Sequence, residues 1–544
     1  MRRTGHPLGA LLGASTVAFA AVTFAAVTFA RVASANDGAG GASTPAIANP
    51  GFDADGTGVA APSGWSSTGS DAADFTETGG YAGGFQLSHW SAEAFAVDTR
   101  QEVRGLSDGW YTLRARVRRS AGQNESFVAL DCGRGSAARV HLPVAWPDQW
   151  LSVVVSARSS RGRCSVVLHT AGAAGEWSNF DEIELSPGAA RLSLLGADVS
   201  SLNKSEDLGG EYFPSADSPE CRCEEECEAQ PALSILADGG INAVRLRVWV
   251  DPADGYHDRA ELLRMARRAK RHGQAVLVDL HYSDFWADPG RQNKPAAWAE
   301  LAAPELVQAV YDHTFDVCRG LLRQGTPPDI VQLGNELNSG MLWPDGHTWD
   351  PPNWENLGDY LAAGASAIAA CSPSTRIMLH LANGGDSGLY QWWFDNITQQ
   401  GVPFDIIGAS FYPYWHGSLG DLQRNLNDVS ARYGKDVVVV ETAYPFTLDG
   451  VDAAPNLIGL PEQLAPGYAA TPEGQAAFVR DVLAIVRAVP EGRGLGAFYW
   501  DATWTAVEGN GWDPTDPASG NSWENQALFD FEGRALPALS EFRR

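Results

Sequence analysis

The chain has 544 residues, more than one ordinary domain needs, and 44% of them are hydrophobic and 19% charged, a balance that excludes a disordered polymer. A formal net charge of −27 excludes a phosphate-rich nucleic acid as the main partner and disfavours any anionic polymer. It suits a soluble protein with a neutral ligand, although acidity serves solubility equally well.

Residues 1–35 read as an export signal. Arg2 and Arg3 precede an apolar stretch from Leu8 to Ala30, and Ala33-Ser34-Ala35 fits a cleavage site. A retained membrane anchor is the other reading of this run, and the arginine pair also fits the twin-arginine route. Residues 36–46 are rich in Gly, Ala, Ser and Thr and read as a linker. An exported chain permits disulfides. Of the seven cysteines, Cys132 is expected to pair with Cys164, and Cys318 with Cys371. Cys221, Cys223 and Cys227 lie in CRCEEEC, which reads as a loop with a local disulfide rather than an incomplete metal cluster.

Residues 47–187 show short alternating segments: Trp110–Val117, Ser126–Asp131, Trp150–Ser156 and Cys164–His169. Turn-forming clusters separate them, so the expectation is an all-β sandwich. Residues 190–544 follow another grammar. Apolar strands are expected at Leu192–Ala197, Ala243–Val248, Ala275–Leu280, Ile330–Leu333, Thr375–Leu379, Ile406–Ser410, Val437–Val440 and Leu495–Tyr499. Helical stretches such as Glu261–Arg271 and Gln475–Val489 lie between them. Eight strands with crossover helices predict an α/β fold, a (β/α)8 barrel. An open doubly wound sheet is the alternative, but the first strand is not followed by a Gly-rich phosphate turn.

In such a barrel, chemistry sits where strands end. The fourth strand runs into VQLGNELNSG, placing Asn335 and Glu336 at its tip. The seventh, DVVVVETAYPF, delivers Glu441 after four valines. A carboxylate at the end of a buried strand is costly unless paired or functional. Two of them across a barrel mouth suit glycoside cleavage, one protonated for the leaving oxygen and one ionised for the anomeric carbon. Arg245 and Arg247 share a face of the second strand with Trp249. One arginine is expected to hold the nucleophile ionised; a salt bridge in the barrel floor is the other reading, above all for Arg245. Other strand ends supply His281, Asp284, Trp286, His380, Asn383, Tyr412, Tyr414, Trp415, Trp500 and Trp504. Aromatic faces stack on sugar rings and polar groups take hydroxyls. The two histidines lack partners at zinc-ligand spacing.

GADVSSL, NAVRLRVWVDP, DLHYSDFWADPGRQNKP, LGNELNSGMLWPDG, SFYPYW, VVVVETAYP and WENQALFDFEG occur in that order from Leu192 onward. Together they resemble glycoside hydrolase family 53, the arabinogalactan endo-β-1,4-galactanases. The resemblance implies endo-cleavage of β-1,4-galactan, the neutral side chains of pectin, with retention and no cofactor. It implies Glu336 as acid/base and Glu441 as nucleophile, Asn335 on the substrate 2-hydroxyl, Tyr412 or Tyr414 on the nucleophile, and Trp500 beneath the cleaved residue. The remaining substrate contacts are expected from Arg247, Trp249, His281, Asp284, Trp286 and Asn383. Some bacterial members carry calcium after the eighth strand, which makes Asp513, Asp516 and Asn521 candidate ligands for structural Ca2+. The CRCEEEC insertion departs from the family pattern.

The front segment, from NPGFDADG to WSNFDEIEL, resembles galactose-binding-like jelly rolls, including family 61 carbohydrate-binding modules. Trp90 and Trp177 are its candidate stacking residues, and Asp53 and Asp181 resemble a pair that holds structural calcium in that fold. The expected whole is a secreted monomer. The alternatives are a related barrel hydrolase for mannan or xylan, and a non-catalytic carbohydrate-binding protein.

Overall fold

The computed structural model describes residues 47–70, 72–133, 137–144, 149–215 and 228–543. The expected signal segment, the linker and CRCEEEC lie outside the described residues. Among the described residues, no helix is long and apolar enough to cross a membrane.

Among the described residues, the front region is a sandwich of ten antiparallel strands. One sheet holds β1 (Ser66–Gly69), β4 (Phe95–Arg104), β9 (Arg163–Gly172), β6 (Glu125–Asp131) and β7 (Ala138–His141), in that order. The other holds β2 (Asp74–Thr78), β3 (Phe85–Trp90), β10 (Trp177–Pro187), β5 (Gly109–Arg119) and β8 (Leu151–Ser159). Strand β5 shows why these residues form sheets: Tyr111, Leu113, Ala115 and Val117 are buried at every second position, while the arginines between them face outward. Cys132 and Cys164 are joined, as expected.

Eight parallel strands then close a barrel in sequence order: Leu194–Asp198, Ala243–Val248, Ala275–Leu280, Ile330–Leu333, Arg376–Leu381, Ile406–Ser410, Asp436–Thr442 and Gly494–Tyr499. All eight expected strands exist, with ends shifted by up to two residues. Helices cover the outside, and a disulfide ties Cys318 of α1 (Ala303–Arg323) to Cys371 of α2 (Trp354–Cys371). Ala243, Leu277, Ile330, Met378, Ile406, Val438, Val440 and Phe498 fill the barrel bottom. Stepping two residues along several of these strands changes the interior from apolar to polar: Arg245, Asp279, Gln332 and His380, all buried. The apolar plug closes one end, and the polar layer faces the other.

Sandwich and barrel meet through hydrogen bonds. Gln423 on α3 (Leu419–Tyr433) accepts from Ser152 N at 2.6 Å and donates to Ser152 O at 2.9 Å, both buried. Arg114 Nη1 donates to Ala488 O at 2.9 Å, just beyond α4 (Pro472–Arg487).

Candidate active site

Two local distortions aim the two carboxylates. Gly334 and Glu336 both adopt left-handed backbone, with φ of 78° and 46°. That is natural for glycine and strained for glutamate, a departure that clusters at functional sites. On the seventh strand, Val438 and Val440 both point into the barrel, so plain alternation would throw Glu441 outward. The pairing with the sixth strand instead steps from Ala409–Val439 to Ser410–Glu441, leaving Val440 as an extra residue. This β-bulge turns Glu441 inward, level with Ser410.

Arg245 organises the polar layer. Its Nη1 lies 2.9 Å from Asp198 Oδ2, and its Nη2 lies 2.9 Å from both Asp279 Oδ2 and Glu441 Oε1. It also donates to Gln332 Oε1 and, at 2.8 Å, to Asn335 Oδ1. Burial opposes its charge, but Asp279, Glu441 and Asp198 outweigh burial and hold it firmly protonated. Both sequence readings for this arginine meet here: it is ion-paired with Asp198 and Asp279 inside the barrel, and it also pairs with Glu441. Tyr412 donates to Glu441 Oε2 at 3.1 Å.

Burial raises the Glu441 carboxyl above its ordinary range, and the Arg245 charge opposes that rise. Glu336 has a different setting. Its carboxyl lies 2.7 Å from Ser410 Oγ, and burial first, then the nearby Glu441 charge, push it up to about 8. Glu441 is buried and Glu336 half-buried, but the cation sits on Glu441 alone, so the first proton to leave the pair leaves Glu441.

Two buried imidazoles, His281 and His380, belong to the polar network around the pair, and a third, His257, lies behind Arg247. His281, His380 and His257 are all pushed below the ordinary histidine range, first by burial. His281 Nε2 lies 2.9 Å from Asp279 Oδ2, while its Nδ1 accepts from Trp249 Nε1 and from Ala287 N. Asp501 is pushed up to about 7, again by burial first, with Arg247 opposing.

These groups open into a cleft of about 560 Å³. Of the residues expected from the sequence, Glu336, Glu441, Asn335, Arg247, His281, Trp286, Asn383, Tyr412 and Trp500 line it. Tryptophans make much of its wall: Trp286 stacks on Trp504 at 6.0 Å, Trp500 lies 4.5 Å from Trp523, and Trp415 and Trp512 are exposed. The Arg247 guanidinium sits 3.9 Å over the Trp286 ring and fixes its plane from behind.

Three expected contact residues lie outside the lining. Trp249 is buried behind Trp286, and its indole N–H is given to His281. Asp284 clasps two loops, accepting from Asp251 N at 3.0 Å and Ala296 N at 2.7 Å. Tyr414 turns away to donate to Gln526 Oε1 at 3.0 Å, which leaves Tyr412 as the tyrosine on Glu441. Sequence reasoning passed over Ser410, Gln332, Asp279, Asp288, Arg291, Trp512 and Trp523. Two-residue steps along the interior faces of the strands point to the first three.

The calcium expectation does not fit the residues present. Asp513 Oδ1 accepts from Thr515, Asp516 Oδ1 accepts from Ala518 N, and the Asn521 amide is used by Trp504 O and Trp523 N. In the sandwich, Asp53 and Asp181 do come together around Gly51, but they accept from Phe85 N and Tyr81 N. Among the described residues, no group of three or more His, Cys, Asp or Glu side chains is placed to hold a metal ion.

Residues 194–542 match the model of Glycosyl hydrolase family 53. A family 53 catalytic domain of Ignisphaera aggregans is 41% identical with a TM-score of 0.60, covering 65% of this chain and 96% of that one. An arabinogalactan endo-beta-1,4-galactanase of Thermothelomyces thermophilus is 38% identical over 58% of this chain and 91% of its own length. The endo-beta-1,4-galactanase of Bacillus subtilis is 31% identical over 72% of this chain and 95% of its own length. With the bulged and left-handed strand tips that bring two carboxyls to one cleft, these likenesses make the chain a member of glycosyl hydrolase family 53.

Proposed function

We propose that this chain is a secreted endo-β-1,4-galactanase that cleaves galactan, such as the side chains of pectin, by double displacement. The observation that carries the reading is the opposite provisioning of two carboxyls in one cleft: Arg245 and Tyr412 on Glu441, Ser410 on Glu336. In the first half-reaction, Glu441 attacks the anomeric carbon while Glu336 gives its proton to the departing glycosidic oxygen. In the second, Glu336 takes a proton from water, the water oxygen bonds to the anomeric carbon, and Glu441 leaves as a carboxylate. Both half-reactions use protein groups, so no cofactor is called for. Trp286, Trp500 and Trp523 supply flat faces for sugar rings, and Asn335 and Asn383 face the hydroxyls, while His281, both of its ring nitrogens held by the protein, lines the wall.

The substrate is tested by reducing-sugar release from purified galactan, mannan and xylan. Galactan is expected to dominate; equal release from mannan removes the galactan assignment. Following the anomer by NMR from the first seconds tests retention, with the β-product appearing before mutarotation.

The sandwich is read as a carbohydrate-binding module. Trp90 is exposed and pairs across β3 and β10 with half-buried Trp177, which sets two indoles side by side at a sheet end. Trp90→Ala is expected to weaken retention of the chain on insoluble galactan without changing turnover on soluble oligosaccharides. Unchanged retention rejects this role.

A further inference from the structure

Ser410 ends the sixth barrel strand with its hydroxyl between two groups. His380 Nε2 lies 2.8 Å away and Glu336 Oε1 lies 2.7 Å away. A serine hydroxyl has one proton, so it donates to only one of them at a time.

The other side of His380 decides which. His380 Nδ1 is 2.9 Å from Asn335 Oδ1. The amide orientation there is fixed: Arg245, which has only protons to offer, is 2.8 Å from that same oxygen, and Asn335 Nδ2 faces the Ala287 carbonyl at 2.8 Å. Two lone pairs facing at 2.9 Å repel, so Nδ1 carries the imidazole proton. Gln332 Nε2 lies 3.1 Å from Nδ1, but three oxygens lie closer to it and take its two protons first: Asp279 Oδ1 at 2.5 Å, and Gly334 O and Asn335 Oδ1 at 3.0 Å each. The Glu336 N–H is 3.4 Å from Nδ1, a long contact that gains little. His380 is fully buried beside Arg245, and both effects keep it neutral. Its Nε2 therefore presents a lone pair, and the Ser410 proton goes there. Ser410 Oγ is left facing Glu336 as an acceptor.

We propose that Ser410, its proton committed to His380, accepts a hydrogen bond from the protonated Glu336 carboxyl and holds that group in its acid form until the leaving oxygen takes the proton. Both are positioning residues that act through Glu336, so the inference rests on Glu336 being the acid/base. Once Glu336 has given up its proton, the carboxylate faces an oxygen lone pair on Ser410. That mismatch favours proton recovery from water in the second half-reaction. The other charged or titratable groups acting on Glu336 are Glu441 and Asp288, which oppose its ionisation, Arg245, which favours it, and the hydroxyls of Tyr390 and Tyr412.

The test is the pH dependence of kcat/KM for the wild type, Ser410→Ala and Ser410→Thr. Ser410→Ala is expected to move the alkaline limb to lower pH by about one unit, the worth of one hydrogen bond to the acid form. Ser410→Thr, which keeps the hydroxyl, is expected to restore it. An alkaline limb that stays put in Ser410→Ala overturns the proposal. So does a limb that moves upward, the result if serine donates to the ionised carboxylate. Should Ser410→Ala fail to fold, 15N NMR of His380 in the wild-type chain decides. A pyrrole-type Nδ1 and a pyridine-type Nε2 support the proposal, and the reverse overturns it. The residual activity of Glu336→Gln separates the two layers. An alkaline limb that persists there removes the acid/base assignment itself, whereas its loss leaves only the serine–histidine inference at stake.

Discussion

Arg245→Lys keeps a positive charge beneath Glu441 but removes the planar fork that distributes it. The guanidinium spreads five contacts over three nitrogens: Asp198, Asp279 and Glu441 at 2.9 Å each, with Gln332 and Asn335 completing the set. A lysine ammonium has three donors at one point and cannot satisfy a set arranged around a fork. The Glu441 contact is charge-assisted and buried, a class worth about 1.5–3 kcal/mol. At 1.36 kcal/mol per pKa unit, its loss raises the Glu441 carboxyl by about one to two units. The sign follows directly. Glu441 must be ionised to attack, so activity is present above its pKa and lost as pH falls through it. A raised pKa moves that acid limb to higher pH. The assay is kcat/KM against pH, with thermal unfolding run in parallel to confirm a folded barrel. A folded Arg245→Lys enzyme whose acid limb stays where the wild type has it would refute the role given to this cation.

Glu336→Gln is expected to lower turnover by about 10²–10⁴ with unfolding unchanged, the ordinary loss for a general acid–base group. Glu441→Gln should lose more, since no covalent intermediate can form; near-normal steady-state rates in either variant reject its role. In the wild type, the alkaline limb should fall at or above about pH 8, with activity present below and lost above, because Glu336 must be protonated for the first step and a Ser410 that accepts from the acid form raises it further. A limb near pH 5 contradicts that value. Gly196→Ala is expected to destabilise the barrel by about 1–3 kcal/mol in denaturant unfolding, since the added methyl would lie 2.2 Å from the buried Phe498 ring.

Barrel strands were readable because a parallel strand covered on both faces is a near-continuous apolar run, and Val437–Val440 shows this in its plainest form. The two glutamates were readable because charge ends those runs. What linear reasoning lacks is the local geometry that aims a side chain. Strict alternation from Val438 and Val440 sends Glu441 outward, and only the extra residue at Val440 reverses it. Tyr412 and Tyr414 have the same parity, yet the chain turns between them, so one reaches Glu441 and the other Gln526. Trp249 shares a strand face with Arg247 but lies behind Trp286, so it supports the wall without lining it. Asp513 and Asp516 have the composition of a cation loop, but one carboxylate oxygen of each accepts within a local turn, and among the described residues no group of three metal-ligating side chains forms there. Ser410 carries no signal of its own, since a serine at the end of a strand is common. It matters only because His380 and Glu336 arrive on either side of it from neighbouring strands.

The paired exchange between the Gln423 side chain and the Ser152 backbone welds the front region to the barrel wall. Many two-part polysaccharide enzymes trail their second part on a leash, and the leash length then governs how far apart grip and cut can fall. Here residues 188–193 form only a short bridge between the last sandwich strand and the first barrel strand, and the docking face holds both parts in one pose. Lengthening that bridge should therefore do little while Gln423 stays in place. With the sandwich gripping galactan as proposed, spacing along a bound polymer becomes a fixed dimension, like the throat of a caliper.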